Sequence, residues 1–295
     1  MNLARDLRDR GDYASAVALY QDARAVFTTV SGVDSRGVAA SYQGIGNVYR
    51  AQGQYVEALE YHQKSLSITI RVLGHDHVNV ASSYNNIGMV YEEQGQYVEA
   101  LKYHQKSLAI SIRVLGHDHV DVATSYINIG NVYGKQGQYV EALDYYQKNL
   151  AITIRVLGHD HVRVAESYMN IGAIYDGQGQ YAEALEYHQK SLAIQIRVLG
   201  HDHVSVAMSY YNMACAYASQ DSVLCHNMLL KAEQTTCLPL AISRQHIQTD
   251  SDLDLVRNLD WFNELLLRVY PLTDDDNEDG KEEDGEEETD NDGES

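Results

Sequence analysis

Apolar residues in the central part of the chain recur at steps of three and four, the spacing that lines one face of an α-helix. In one representative segment these residues are Tyr84, Ile87, Gly88 and Tyr91. The following segment, "EQGQY", predicts a turn at Gly95. Residues 99–115 then carry a second amphipathic pattern. The pattern therefore predicts two helices joined by a short turn.

This helix pair repeats every 42 residues. Four ungapped copies cover residues 41–82, 83–124, 125–166 and 167–208. The second and third copies are identical at 32 of 42 positions, so they must share one packing arrangement. A period of this length is typical of stacked helical units, which predicts an all-α solenoid of antiparallel helix pairs.

The flanking segments extend the same pattern with losses at both ends. We predict a truncated first repeat at 1–40, the four repeats at 41–208, a degenerate last repeat at 209–238, a helical cap at 239–270 and a disordered acidic tail at 271–295. Apolar side chains of the predicted cap are expected to cover the last repeat: Trp261, Phe262, Leu265 and Leu266.

The joint between repeats reads "VLGHDHV" in all four copies. We expect Gly116 to end the second helix in a left-handed conformation, Arg113 to complement that helix's dipole, and Asp118 to cap the next helix. The His-x-His pair suggests a metal site, but two ligands are too few for zinc. The first joint, "VSGVDSR", has no histidine. We therefore interpret the joint as structural and expect no metal or cofactor.

Charge and cysteine content exclude several classes of function. The net charge is −20, and residues 273–295 contribute −13 of it, which leaves −7 on the rest of the chain. An acidic chain without a basic stripe argues against nucleic acids and anionic membranes as partners. The chain has three cysteines, which fit reduced thiols and a cytoplasmic protein. Residues capable of catalysis, such as His, Asp and Glu, recur with the repeat, whereas an active site occurs once. We therefore expect that the chain is not an enzyme.

The repeated run "SYNNIGMVY", its Gly turn and the second-helix aromatic residue resemble the tetratricopeptide repeat. The 42-residue length and "GHDHVDVATSY" are similar to the kinesin light chain group. The resemblance implies a right-handed superhelix whose first helices line a concave peptide groove. It also implies a non-enzymatic protein-interaction scaffold. A motor cargo adaptor and a regulatory fragment of a larger signalling protein are the alternatives, although no heptad coiled coil precedes the repeats.

Comparison of the second and third copies locates the candidate groove. Five of their ten differences cluster on one face of the first helix and the position before it. Within this face an asparagine recurs at Asn86, Asn128, Asn170 and Asn212. The resemblance implies that these amides hold a peptide backbone, while an ordering role in the stack is the alternative. The further candidate groove residues are Asn85, Met89, Asn131, Lys135, Met169 and Tyr211.

The charges on this face set the expected partner. The cations Arg50 and Lys135 are outnumbered by acidic residues at Glu92, Glu93, Glu166 and Asp176. A strongly acidic ligand would be repelled, so we expect a neutral or basic extended peptide.

Overall fold

The computed structural model describes residues 2–235, 237, 238 and 242–270, and every regular element within these ranges is helical. The chain divides into two compact units, Met1–Val198 and Leu199–Ser295. The all-α prediction is therefore confirmed. The predicted disordered tail, 271–295, lies outside the described residues.

Helix pairs make up the first unit. The helices are α1 (Asn2–Asp9), α2 (Tyr13–Ser31), α3 (Arg36–Ala51), α4 (Tyr55–Leu73), α5 (Val78–Glu93), α6 (Tyr97–Leu115), α7 (Val120–Lys135), α8 (Tyr139–Leu157), α9 (Val162–Gly177) and α10 (Tyr181–Leu199). Odd-numbered members are the first helices of the repeats and even-numbered members the second helices. The two helices of a pair pack along their length, and α4, α6 and α8 also pack on the first helix of the following pair.

The turn within a pair follows the prediction. Gly95 has a φ of +71°, a conformation that glycine adopts without steric cost. The second helix α6 begins at Tyr97, two residues earlier than the pattern predicts, because the Gln96 carbonyl already accepts the Ala100 N–H at 3.0 Å.

In α3–α4, α5–α6, α7–α8 and α9–α10, an aromatic or imidazole ring of the second helix packs on a glycine of the first helix. The buried His104 ring of α6 lies against Gly88 of α5, where an added Cβ would approach the ring to 2.7 Å. His62 and His188 occupy the equivalent place on Gly46 and Gly172. The absence of a Cβ lets the two helices approach closely, and this packing buries the neighbouring Ile87 completely.

The joints differ from prediction in one residue. Gly116 ends α6 at a φ of +84°, as expected. The side chain that caps α7 is His119, whose Nδ1 accepts the Asp121 N–H at 3.1 Å. The prediction of an Asp118 cap is wrong, because the helix begins one residue later and Asp118 accepts a hydrogen bond from Arg155 instead. The equivalent Arg113 donates to Asp76 at 2.6 Å, so these arginines link successive repeats.

The described part of the second unit contains α11 (Val204–Ala218), α12 (Ser222–Gln234), α13 (Arg244–Thr249), the 3₁₀ turn Ser251–Leu253 and α14 (Asp260–Val269). Helix α14, which lies within the predicted cap, packs on α12. Phe262, Leu265 and Leu266 are buried, and Trp261 stacks on His226 of α12 at a centroid distance of 4.2 Å.

Candidate functional site

The candidate site in the first unit is the first-helix face, which we define as the solvent-facing side chains of α3, α5, α7 and α9. Successive first helices come into direct contact along this face: Asn128 Nδ2 on α7 donates to Asn85 Oδ1 on α5 at 2.6 Å. Asn85 and Asn128 therefore engage each other across the repeat boundary. For Asn128 this contact corresponds to the ordering role that was the alternative to peptide binding.

Ion pairs between successive first helices engage two cations of this face, Lys135 and Arg50. Lys135 Nζ lies 2.8 Å from Glu92 Oε1, and Arg50 pairs with Glu93. Burial opposes ionisation of Glu92, but hydrogen bonds and charges from His104 and Lys135 outweigh it and lower its pKa. Glu166 is exposed on α9. Lys135 and Arg50 are thus engaged by acidic residues of the neighbouring first helix.

Several variable positions of this face serve the buried rings. His104 Nδ1 lies 3.0 Å from Asn85 Oδ1. In the next repeat the ring is Tyr146, whose hydroxyl donates to Asn131 Oδ1 at 2.6 Å. Because the partner changes when the ring changes, packing explains the variation at Asn85 and Asn131. Variation between copies is therefore a weaker sign of ligand contact than the sequence comparison suggested.

The polar contacts of the other two rings, His188 and His62, also depend on the residue that the first helix places beside the ring. His188 Nε2 lies 2.7 Å from Asp176 Oδ2. His62 Nε2 has no hydrogen-bond partner in the part of the chain that the structure describes, and burial together with the Arg50 charge lowers the pKa of His62 to about 4. His62 is therefore neutral at neutral pH. These rings are packing residues of the helix pair.

The other asparagines of the repeat are less engaged. Asn86, Asn170 and Asn212 are half-buried. The Nδ2 atom of Asn86 is buried and has no hydrogen-bond partner among the described residues. Met89 and Met169 are half-buried as well. Asn212 belongs to the second unit, so the exposed parts of Asn86, Met89, Asn170 and Met169 are the atoms of the first-helix face that a ligand can contact.

Tyr211 does not reach the surface. It belongs to the second unit, is 3% exposed, and its hydroxyl donates to Asp250 Oδ2 at 2.5 Å. Burial is the largest cause that raises its pKa, and the neighbouring Cys215 and Asp250 raise it further. The segment that follows α13 covers this side chain, which local sequence could not reveal. Tyr211 is thus an interior residue and offers no surface to a ligand.

A pocket opens on the first-helix face between α5, α6 and α7. Its volume is about 230 Å³, and it brings together the predicted residues Asn85, Asn86 and Asn128. Sequence reasoning missed the small polar residues that complete it, Ser107 and Ser125. A similar pocket of about 230 Å³ lies one repeat earlier, at Ser65 and Ser83. The replacement of Ser107 by Asn149 between copies is the signal that could have located it.

One group of potential metal ligands occurs among the described residues. Atoms of Cys215, Asp250 and Asp252 lie within 4.8 Å of one another. Burial and the two carboxylates raise the pKa of the Cys215 thiol well above its usual value. The Asp250 carboxylate already accepts the Tyr211 hydroxyl and the Asp252 N–H. The contacts of Asp250 thus account for this cluster as part of the fold of the second unit.

The described helices include none that is both long and apolar enough to cross a membrane.

Comparison with known proteins identifies the type of repeat. The sequence profile of the tetratricopeptide repeat matches residues 1–71, 43–110, 79–148, 121–195 and 177–222. The curated proteins contain no match.

Two solved structures illustrate the similarity of the fold. One is a putative kinesin light chain with nearly identical repeats from Podosopora anserina, 26% identical with a TM-score of 0.56, covering 66% of this chain and 93% of that one. The other is BtubC (BKLC) from P. vanneervenii, 18% identical with a TM-score of 0.65, covering 78% and 91%. At 18% identity, the second similarity concerns the fold alone.

Proposed function

We propose that this chain, which belongs to the tetratricopeptide repeat family and is of the kinesin light chain-like type, binds an extended peptide on the first-helix face of its first unit. The family and its structural neighbours support a protein-interaction scaffold. The proposal concerns the place and the chemistry of binding. We also propose that the chain acts without catalysis, in the cytoplasm.

The pocket between α5, α6 and α7 carries the proposal. It contains Asn86, whose buried Nδ2 lacks a partner, and an unpaired buried donor costs about 1–3 kcal/mol. A turn of the Asn86 side chain toward the pocket would let a peptide carbonyl accept from Nδ2 and would remove this cost. Asn170 is another half-buried member of the ladder in the first unit, so we assign it the same role, whereas Asn128 already donates to Asn85. Asn212 belongs to the second unit and is left out of this surface.

The charges of the face support a neutral or basic peptide. Lys135 and Arg50 are paired with Glu92 and Glu93, while Glu166 is exposed. An acidic peptide would find no free cation among these groups and would be repelled by Glu166. Met89 and Met169 are half-buried and supply apolar contact. Tyr211 is left out of this surface because it is buried.

A cargo adaptor of a microtubule motor is the second candidate function. It is favoured by the 26% identity to the putative kinesin light chain over 93% of that chain. A motor subunit or a motor cargo among the proteins that bind the first-helix face would distinguish this function from a general scaffold.

The test is a selection of short random peptides displayed on phage, followed by fluorescence anisotropy with the selected peptides. The variant Asn86→Ala/Asn170→Ala removes two free amides of the first-helix face. A matched control, Gln105→Ala/Gln189→Ala, changes two exposed side chains of the second helices. Circular dichroism checks that both variants remain helical.

We expect the asparagine variant to lose about tenfold or more in affinity and the glutamine control to bind normally, because each lost hydrogen bond costs about 1 kcal/mol. Equal binding by the wild type and the asparagine variant would contradict the proposed place of binding. Loss in the glutamine control alone would move the site to the second helices.

A further inference from the structure

We number the repeat junctions by their helices: the first joins α3–α4 to α5, the second joins α5–α6 to α7, and the third joins α7–α8 to α9. At the third junction a side chain fills the space that is open at the second. Asn149 of α8 is 2% exposed and reaches toward α7 and α9. Its Nδ2 donates to the Ala123 carbonyl at 3.0 Å. The Ser167 hydroxyl donates to its Oδ1 at 2.6 Å. One carboxamide thus satisfies a backbone acceptor and a side-chain donor between two repeats.

The second junction has the same groups without the amide. Residues one repeat earlier are Ser107 for Asn149, Ala81 for Ala123 and Ser125 for Ser167, and all three line the pocket of about 230 Å³. No side chain of the described part of the first unit donates to the Ala81 carbonyl, in contrast to the Ala123 carbonyl. The shorter Ser107 side chain leaves this part of the junction open.

We propose that the second junction binds a carboxamide of the partner, the side chain of an Asn or Gln residue in an extended peptide. The amide nitrogen donates to the Ala81 carbonyl, and its oxygen accepts from the Ser125 hydroxyl. Ser125 Oγ lies 3.0 Å from the Asp121 carbonyl. At the third junction Ser167 Oγ similarly lies 2.8 Å from the Arg163 carbonyl, and this hydroxyl also reaches Asn149. The Ser125 hydroxyl donates to the Asp121 carbonyl, so it has to turn its single hydrogen to the amide oxygen, as the Ser167 hydroxyl does toward Asn149.

A neighbouring donor adds to this arrangement. Asn86 lines the same pocket, and its buried Nδ2 has no partner among the described residues. Once the side chain turns toward the pocket, this Nδ2 can donate to the carbonyl of the peptide backbone that carries the amide. A carboxylate in place of the amide would present only acceptors to the Ala81 carbonyl, which is itself an acceptor. The pocket thus selects Asn or Gln over Asp or Glu.

The pocket at the first junction is less suited to an incoming amide. There the Ser65 hydroxyl already donates to the Ala39 carbonyl at 2.9 Å. An incoming amide would compete with this bond for the same carbonyl. We therefore assign amide recognition to the second junction, where Ser107 lines the pocket.

This inference rests on the proposed function and is tested with the peptides that the same selection yields. Each Asn or Gln of a selected peptide is replaced in turn by Leu or by Asp or Glu, and the affinity is measured by anisotropy. The variant Ser107→Asn introduces the residue that fills the third junction. The variant Ser107→Ala is its control, because it leaves the pocket open. Thermal unfolding followed by circular dichroism confirms that both variants fold.

We expect one Asn or Gln of the peptide to be essential, with a loss of about tenfold for either replacement, since two hydrogen bonds are removed. Ser107→Asn should weaken binding to a similar extent, and Ser107→Ala should not. Peptides that lose affinity in Asn86→Ala/Asn170→Ala but tolerate every Asn and Gln replacement and bind Ser107→Asn normally would overturn the amide pocket and leave the proposed function intact. A selection that enriches no peptide would overturn both.

Discussion

The repeats of α5–α6 and α7–α8 differ at ten of 42 positions, and their comparison shows how one packing arrangement tolerates two different rings. His104 and Tyr146 occupy the same place, against Gly88 and Gly130. Each ring finds its polar partner at a different turn of the first helix, on Asn85 in one repeat and on Asn131 in the other. Substitutions that look independent in the sequence are thus coupled by the requirement that a buried polar atom be paired.

The comparison also separates two kinds of variable residue. Asn85 and Asn131 vary because they serve the rings. Ser107 and Asn149 also vary between these copies, but here the change opens or fills a pocket. The first kind concerns internal stability, and only the second kind changes the shape of the surface.

The largest effect on folding stability is expected when the pH is lowered, because a histidine ring takes up a proton in this pH range and a tyrosine ring does not. His62 has a pKa of about 4 in the folded chain against an ordinary value of 6.5, because its burial disfavours the charged form. The unfolded chain therefore binds a proton first. This contribution is fully present above about pH 6.5 and is lost as the pH falls toward about 4, by roughly 3 kcal/mol.

Urea unfolding at a series of pH values checks this prediction by comparison of the wild type with His62→Tyr. Asn47 occupies the place of Asn131 in this repeat, so the variant imports the pair found in α7–α8. The stability of the variant relative to wild type should increase as the pH falls. A constant difference between the two proteins across this pH range would show that His62 is not buried as a neutral ring.

The next largest effect on stability is expected from the close contact between ring and glycine. Gly88→Ala places a Cβ at 2.7 Å from the His104 ring, and overpacking of this kind costs about 1–3 kcal/mol. Gly134→Ala is the matched control in a first helix, because its Cβ would meet only the Cδ1 of Ile174 at 3.1 Å. We expect the urea midpoint to fall for Gly88→Ala and to stay or rise for the control. A similar fall in both variants would mean that helix backbone effects, and not the ring, decide the result.

A double-mutant cycle sharpens the comparison of the two rings. His104→Tyr alone leaves the new hydroxyl without its partner, because Met89 stands where the next repeat has Asn131. An unpaired buried hydroxyl costs about 1–3 kcal/mol. The additional change Met89→Asn should recover about 1 kcal/mol or more of this loss. Additive effects of the two changes, measured by urea unfolding, would refute the coupling.

The smallest effect concerns the joint. His119→Ala removes the cap of α7 and should cost about 1 kcal/mol. Asp118→Ala removes an exposed ion pair with Arg155 and should cost less, because solvent screens such pairs. Thermal unfolding of the two variants ranks the contributions. A larger loss in Asp118→Ala would restore the aspartate to the capping role that the sequence suggested.

Much of the fold was predictable from sequence because its causes are local. Steps of three and four residues define the helices, and positive φ angles require the glycines at Gly95 and Gly116. The cap residue was assigned one position early, since both Asp118 and His119 can accept a helix N–H. Local preference did not separate two adequate acceptors that are neighbours in the chain.

The candidate site was less predictable because its contacts join residues far apart in sequence. The chain by itself determined the repeat, the helix pairs and the asparagine ladder, through periodicity and backbone preference. Only the tertiary structure decided that Asn128 donates to Asn85, that Tyr211 is buried beside Asp250, and that Asn149 fills a junction which Ser107 leaves open. Such pairings depend on the distance between packed helices, which no single helix pattern specifies.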